Sequence, residues 1–267
     1  MSFAQLALIV LAGFAAGAVN ALAGGGTLLT FPALVAAGLP AIAANVTSTI
    51  ALCPGYLGAT LAQRADLRAQ RSRTLRLLPV AAAGGLLGAV LLLHTSEQRF
   101  EAVVPWLLLT ACALLGWQER LRAALALRMP KDAAGGALPG TEPIGVRAVP
   151  PWLLPLVGLG AMYGGYFGAG MSVVLLAVLG LALTDTLPRL NALKQLLALA
   201  ANFAAAFLLA ASAPVDWSLV ALLGLSALLG GAWGGRLARR LSPQWLRRVV
   251  VSLGLAVAVF YLLRASW

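Results

Sequence analysis

One lysine stands alone in a long apolar stretch. Lys194 is the only charged residue between Leu190 and Val215. An ammonium at membrane depth is costly enough to mark a functional site. Asn191 lies about one helical turn before it, on the same face of any helix there. An earlier stretch, Asn45-Val-Thr47-Ser48-Thr49, supplies amide and hydroxyl groups at the matching place, with Ser48 aligned to Lys194. Two glycine-rich breaks precede these stretches, Asn20-Ala-Leu-Ala-Gly24-Gly25-Gly26-Thr27 and Gly165-Tyr-Phe-Gly168-Ala-Gly170-Met-Ser172. Each break is followed by an apolar run, so a helix is expected to start there. The first turn of a helix leaves backbone N–H groups without intrahelical partners and carries partial positive charge. Such an end suits an anion. Thr27 and Ser172 fall at equivalent positions beside the two starts, where each can cap a helix or offer a hydroxyl to a ligand. Asn20, Gly25, Gly26, Thr27, Asn45, Ser48, Gly168, Gly170, Ser172, Asn191 and Lys194 are therefore the candidate substrate-binding residues.

The chain that must position them has 267 residues, of which 61% are hydrophobic and 10% charged. Its mean hydropathy is +0.92. A soluble domain averages about a quarter charged residues. There is no Asp, Glu, Lys or Arg from Met1 to Gln63, and none from Ala148 to Thr184. Runs of this length are membrane segments. The net charge of +11 does not signal nucleic acid. The basic residues gather at the ends of apolar segments, as cytoplasmic loops do under the positive-inside rule. The lipid bilayer is the expected surrounding, and a homodimer is left open. The start, Met1-Ser-Phe-Ala-Gln, lacks the basic region of a cleaved signal peptide and is expected to be retained. Cys53 and Cys112 fall in apolar segments and read as small buried hydrophobes.

The second half repeats the first. At an offset of 146, Asn45 meets Asn191, Gly84, Gly85 and Gly88 meet Gly230, Gly231 and Gly234, and Ser96 and Gln98 meet Ser242 and Gln244. The glycine breaks align at 145. Paired breaks in corresponding positions of two halves point to a transporter's binding site. Five apolar pieces are expected in each half, at 3–19, 27–38, 41–63, 77–93 and 100–117, and at 152–164, 171–183, 190–211, 218–236 and 249–264. This divides the chain into a first membrane repeat (1–117), a cytoplasmic linker (118–151) and a second membrane repeat (152–267).

Charge bias orients the pieces. The 64–76 loop carries five arginines and is expected inside, whereas its counterpart 211–217 carries no Lys or Arg and is expected outside. The halves are then inverted relative to each other, which requires an odd number of crossings in each. Pieces 27–38, 152–164 and 171–183 are too short for a hydrocarbon core of roughly 30 Å, since a helix rises only about 1.5 Å per residue. They read as arms of hairpins whose glycine tips stop inside the membrane, entering from opposite faces and meeting near the midplane; piece 3–19 is longer and could cross more fully. The fold class is thus an all-α integral membrane protein of two inverted repeats, each a glycine-tipped hairpin plus about three spanning helices.

Each residue also has a plainer reading. The glycines can serve helix packing, Thr27 and Ser172 can be caps alone, the asparagines can glue helices together, and Lys194 can snorkel to an interface. Arg64 and Arg189 read as interface anchors, and Tyr56, Tyr163, Tyr166 and the tryptophans as interfacial or packing residues. His94 stands alone, so neither a metal nor a cofactor is expected. No carboxylate falls mid-segment to carry a proton or hold sodium.

The run Gly17-Ala-Val-Asn20 through Gly24-Gly25-Gly26-Thr27 to Phe31-Pro32, followed by Leu39-Pro40 and Ala44-Asn45-Val-Thr47-Ser48-Thr49, resembles the TauE/SafE sulfite exporter family. Gly164-Gly-Tyr-Phe-Gly168-Ala-Gly170-Met and Asn191-Ala-Leu-Lys194 are similar to that family's second repeat. The resemblance implies export of small sulfur-containing anions, such as sulfite or organosulfonates, by a multi-pass protein of a bacterial inner membrane. Its second tip departs from the glycine triplet, with Ala169 and Met171 in the row. An anion channel remains an alternative. A membrane hydrolase is a weaker one, because no base or acid lies near the tips.

Overall fold

A computed structural model describes residues 2–22, 25–68, 70–128, 149–237 and 243–265. These residues form helices and connecting turns, without strands. In the first half the helices are α1 (Phe3–Leu22), α2 (Thr27–Ala36), α3 (Ala41–Ala62), a short α4 (Arg64–Arg68), α5 (Arg71–Leu93) and α6 (Glu97–Arg128). In the second half they are α7 (Leu153–Tyr166), α8 (Met171–Ala182), α9 (Leu187–Ser212), α10 (Trp217–Leu237) and α11 (Pro243–Ala265). Each of the ten expected apolar pieces corresponds to one helix. Helix α4 is an addition within the basic loop. Helix α6 continues to Arg128, into the stretch expected as linker, and 129–148 lies outside the described residues.

Windows in α1, α5, α6 and α9 are long and apolar enough to cross a membrane. Helix α3 has 22 residues and is about 33 Å long at 1.5 Å per residue, but Asn45 to Thr49 make its first half polar. Helices α2, α7 and α8, with 10, 14 and 12 residues, are too short to span. Helix α1, at 20 residues, is long enough, so the first hairpin has one long and one short arm.

The short helices pack as hairpins. A methyl group on Gly26 would lie 2.9 Å from the Ala16 carbonyl across the first hairpin. In the second, Gly164 faces Met171 and Gly160 faces Val174, so α7 and α8 run antiparallel.

Each hairpin is clasped by the other half. Helix α1 packs on α10, where Gly17 abuts the Ala227 backbone and Gly230 abuts Phe14. Helix α7 packs on α5, where Gly84 meets the Gly158 carbonyl and Gly88 meets the Met162 carbonyl. Any side chain at these glycines would overlap a neighbouring backbone. This is the packing role the sequence allowed for Gly84, Gly88 and Gly230. Close backbone approach matters in lipid, where apolar burial between helices gains little and contact does most of the work.

Helices α3 and α9 cross at the centre. The Thr60 hydroxyl reaches the Gln195 carbonyl at 3.4 Å, and Asn202 Nδ2 donates to the Thr49 carbonyl at 3.0 Å. Rising numbers on one helix meet falling numbers on the other, so these two counterparts run antiparallel. That register is what an inverted pair of repeats requires. Buried side chains form two clusters, one around Leu28, Phe31, Phe100 and Phe167 and one around Leu77, Leu153, Leu176 and Leu193.

Candidate functional site

Asn20, in the last turn of α1, organises the first tip. Its Oδ1 accepts from the Gly25 and Gly26 amides at 3.3 and 3.4 Å. Helix α2 then starts at Thr27 with Gly26 as its N-cap, and no side chain caps it. The Gly26 carbonyl accepts from the Thr30 hydroxyl at 3.3 Å, and that hydroxyl also lies 2.5 Å from Ser48 Oγ on α3. Ser48 therefore braces the first turns of α2 from the neighbouring helix.

The second tip needs glycine for its backbone. Gly168 and Gly170 both adopt φ +82°, a left-handed conformation that strains any residue with a Cβ. Gly170 is the N-cap of α8, again without a side-chain cap. The tip is braced by Tyr163, whose hydroxyl donates to the Ala169 carbonyl at 2.7 Å. It is also braced across the repeats: Asn45 Nδ2 on α3 donates to the Tyr166 carbonyl at 2.8 Å. Asn45 thus acts as interhelical glue through its nitrogen.

The two tips meet. A methyl on Gly168 would come 3.5 Å from Thr27 Oγ1. The rings of Phe31, one turn into α2, and Phe167, in the second tip, stack edge to face at 5.4 Å. Phe100 joins both, and Tyr166 joins Phe100. Phe31, Phe100 and Phe167 are fully buried, so these rings pack the two tips against each other and against α6.

Polar groups are left over at this meeting point. Asn20 Nδ2, Asn45 Oδ1 and Ser172 Oγ are buried and have no hydrogen-bond partner. A buried polar group without a partner costs on the order of 1–3 kcal/mol. Asn20 Nδ2 on α1 and Ser172 Oγ on α8, one from each repeat, can each donate to a ligand, whereas Asn45 Oδ1 can only accept. Thr27 and Ser172 do not serve as caps, which removes the plainer reading of both.

Asn191 and Lys194 form a separate polar chain. Lys194 is 4% exposed, and its Nζ donates to Asn191 Oδ1 at 2.9 Å. Asn191 Nδ2 in turn donates to Gln63 Oε1 at 2.7 Å, at the end of α3. Such burial runs against the snorkelling alternative. The chain joins the start of α9 to the end of α3, just as Asn45 joins the start of α3 to the second tip.

Two features lay outside the sequence-based expectation. Arg73 is not a loop cation: α5 begins at Arg71, and Arg73 is buried in an ion pair with Asp185, which also pairs with Arg189 at 3.6 Å. The Gln70 amide donates to the Arg189 carbonyl at 2.9 Å and tightens this cluster. Tyr56 is buried on α3 with the Asn20 and Ser172 side chains as neighbours of its hydroxyl. The signal for it was present, since Asn45, Thr49, Leu52 and Tyr56 recur at the spacing of one helical face. All four are buried. Cys53 and Cys112 are free, and the described residues contain no cluster able to hold a metal.

The family described as sulfite exporter TauE/SafE matches residues 9–261. A protein of Sinorhizobium named "Probable membrane transporter protein ORF9" is 26% identical over 260 residues, which covers 97% of this chain and 93% of that one. A Haemophilus influenzae protein named "Probable membrane transporter protein" is 24% identical over 266 residues, covering 98% and 96%. No solved structure gives a significant match.

Proposed function

The chain belongs to the sulfite exporter TauE/SafE family, and we propose that this membrane transporter carries small sulfur-containing oxyanions, sulfite or organosulfonates, out of a bacterial cell across its inner membrane. The observation that carries this reading is the meeting of the two tips, Thr27 against Gly168, around buried polar atoms that have no partner. An anion seated there would face two helix starts, which favour negative charge without requiring a permanent cation. The family match supports sulfur oxyanions as the cargo.

Rocking of one repeat against the other would expose the tips alternately to the two sides. A negative-inside potential drives an anion outward with about 2.3 kcal/mol per charge per 100 mV. Export therefore needs no coupling ion.

Thermal stabilisation of the purified protein tests the reading. Sulfite or methanesulfonate at about 100 times its dissociation constant should stabilise the protein by about 2.7 kcal/mol. Lys194→Ala should abolish that response if the ammonium helps hold the anion; an equal response in the variant removes Lys194 from the site. Stabilisation by neutral solutes and by no oxyanion would overturn the reading.

A further inference from the structure

Tyr56 is the buried polar residue closest in kind to a missing part of the site. Its side chain is 4% exposed and packs in one buried cluster with Ala16, one turn before Asn20, and with Met171, next to Ser172. The Asn20 and Ser172 side chains lie within hydrogen-bonding influence of its hydroxyl, but no well-formed hydrogen bond joins the three, and Asn20 Nδ2 and Ser172 Oγ make none elsewhere. Ser172 is 3% exposed, so water does not relieve it from outside.

The repeat makes the point sharper. At the offset of 146, the counterpart of Tyr56 is Asn202. Asn202 is committed to the fold: its Nδ2 donates to the Thr49 carbonyl at 3.0 Å and lies 3.2 Å from Cys53 Sγ. The Tyr56 hydroxyl instead has the Asn20 and Ser172 side chains around it, on α1 and α8. One copy of this position ties α9 to α3, and the other carries a hydroxyl to the place where the two tips meet.

We propose that Tyr56 is a substrate-contact residue, whose hydroxyl donates together with Asn20 Nδ2 and Ser172 Oγ to the oxygens of a bound sulfur oxyanion. The inference rests on reading the tips as the substrate site and says what that site selects. Three neutral donors drawn from α1, α3 and α8 fit a pyramidal group with three oxygens on one sulfur. The fourth direction on sulfur holds a lone pair in sulfite and carbon in a sulfonate, which explains how one site takes both. A planar carboxylate has two oxygens and leaves one donor unmet. Such an unmet donor is the usual source of strong discrimination.

The test is Tyr56→Phe, which removes one oxygen and keeps the ring. Binding of sulfite, methanesulfonate and acetate would be measured on the purified full chain. The wild type should bind the two sulfur anions more tightly than acetate. The variant should lose about tenfold or more in affinity for sulfite and methanesulfonate, the usual cost of a hydrogen bond to a charged group. Its affinity for acetate should change little, so the preference narrows, and its melting temperature without ligand should be unchanged. Ser172→Ala offers a second route, because its Oγ supports nothing in the unliganded fold; it should weaken sulfite binding in the same way. Wild-type binding of sulfite with equal binding by both variants would overturn the role of Tyr56 and leave the transporter reading standing. Failure of the wild type to bind any sulfur oxyanion would overturn both.

Discussion

At the scale of single residues, the molecule separates polar groups that serve the fold from those that do not. Ser48, Tyr163, Asn191, Asn202 and Gln70 all have protein partners. Arg73 and Asp185 are the most committed, as a buried ion pair holding α5 to the turn before α9. Removing one member of such a pair strands the other charge. Asp185→Asn should therefore destabilise the protein by about 3 kcal/mol, read as a fall in melting temperature in detergent. Adding Arg73→Met should recover most of the loss, since it removes the stranded charge. A single variant no less stable than the wild type would show that the pair contributes nothing. Lys194 was readable as a site candidate from its isolation among apolar residues. The pairing of Arg73 was not, because Asp185 lies 112 positions away and no local pattern links the two. Tyr56 reads as a packing residue and does sit in a buried cluster; the neighbours of its hydroxyl on α1 and α8 come from distant parts of the chain, which no local pattern links.

At the scale of the helices, glycine placement decides how close the elements come. Gly88 on α5 sits against the Met162 carbonyl on α7, with no room for a Cβ. Gly88→Val should force the two helices apart and cost about 1–3 kcal/mol or more. Gly116 on α6 has nothing within 4 Å of a Cβ, so Gly116→Ala should leave the melting temperature unchanged or raise it slightly. Equal behaviour of the two variants would remove glycine contact as the basis of this packing. Helix number and order were legible in the sequence because each apolar run is long and bounded by glycine, proline or arginine. Helix ends were less so. Helix α5 starts earlier than its apolar run because Arg73 is neutralised by Asp185, and α6 outlasts its own because helix-forming residues continue past the apolar stretch. The hairpins were legible from segment length and the glycine tips. Which half clasps which hairpin was not, since that depends on contacts between residues far apart in the chain.

At the scale of the whole molecule, the most extensive packed pairs have counterparts across the halves: α1 on α10 answers α7 on α5, and α3 on α10 answers α9 on α5. Each hairpin makes its most extensive helix contact with the other half. A chain cut within 129–148 should therefore reassemble when residues 1–128 and 149–267 are co-expressed, and either piece alone should be degraded. Co-purification of an affinity-tagged first piece with the second checks this; stable accumulation of one piece by itself would contradict it.

The exchange of hairpins also bears on what a half could do by itself. A single half on its own would expose the groove that receives a hairpin and the hairpin that fills one. Two copies could satisfy both only by entering the membrane in opposite senses, each lending its glycine tip to the other. In such an arrangement a covalent link between the copies acts as a tether and frees the two tips from having to be identical. Tyr56 differs from its counterpart Asn202, and Gly24-Gly25-Gly26 from Gly168-Ala169-Gly170.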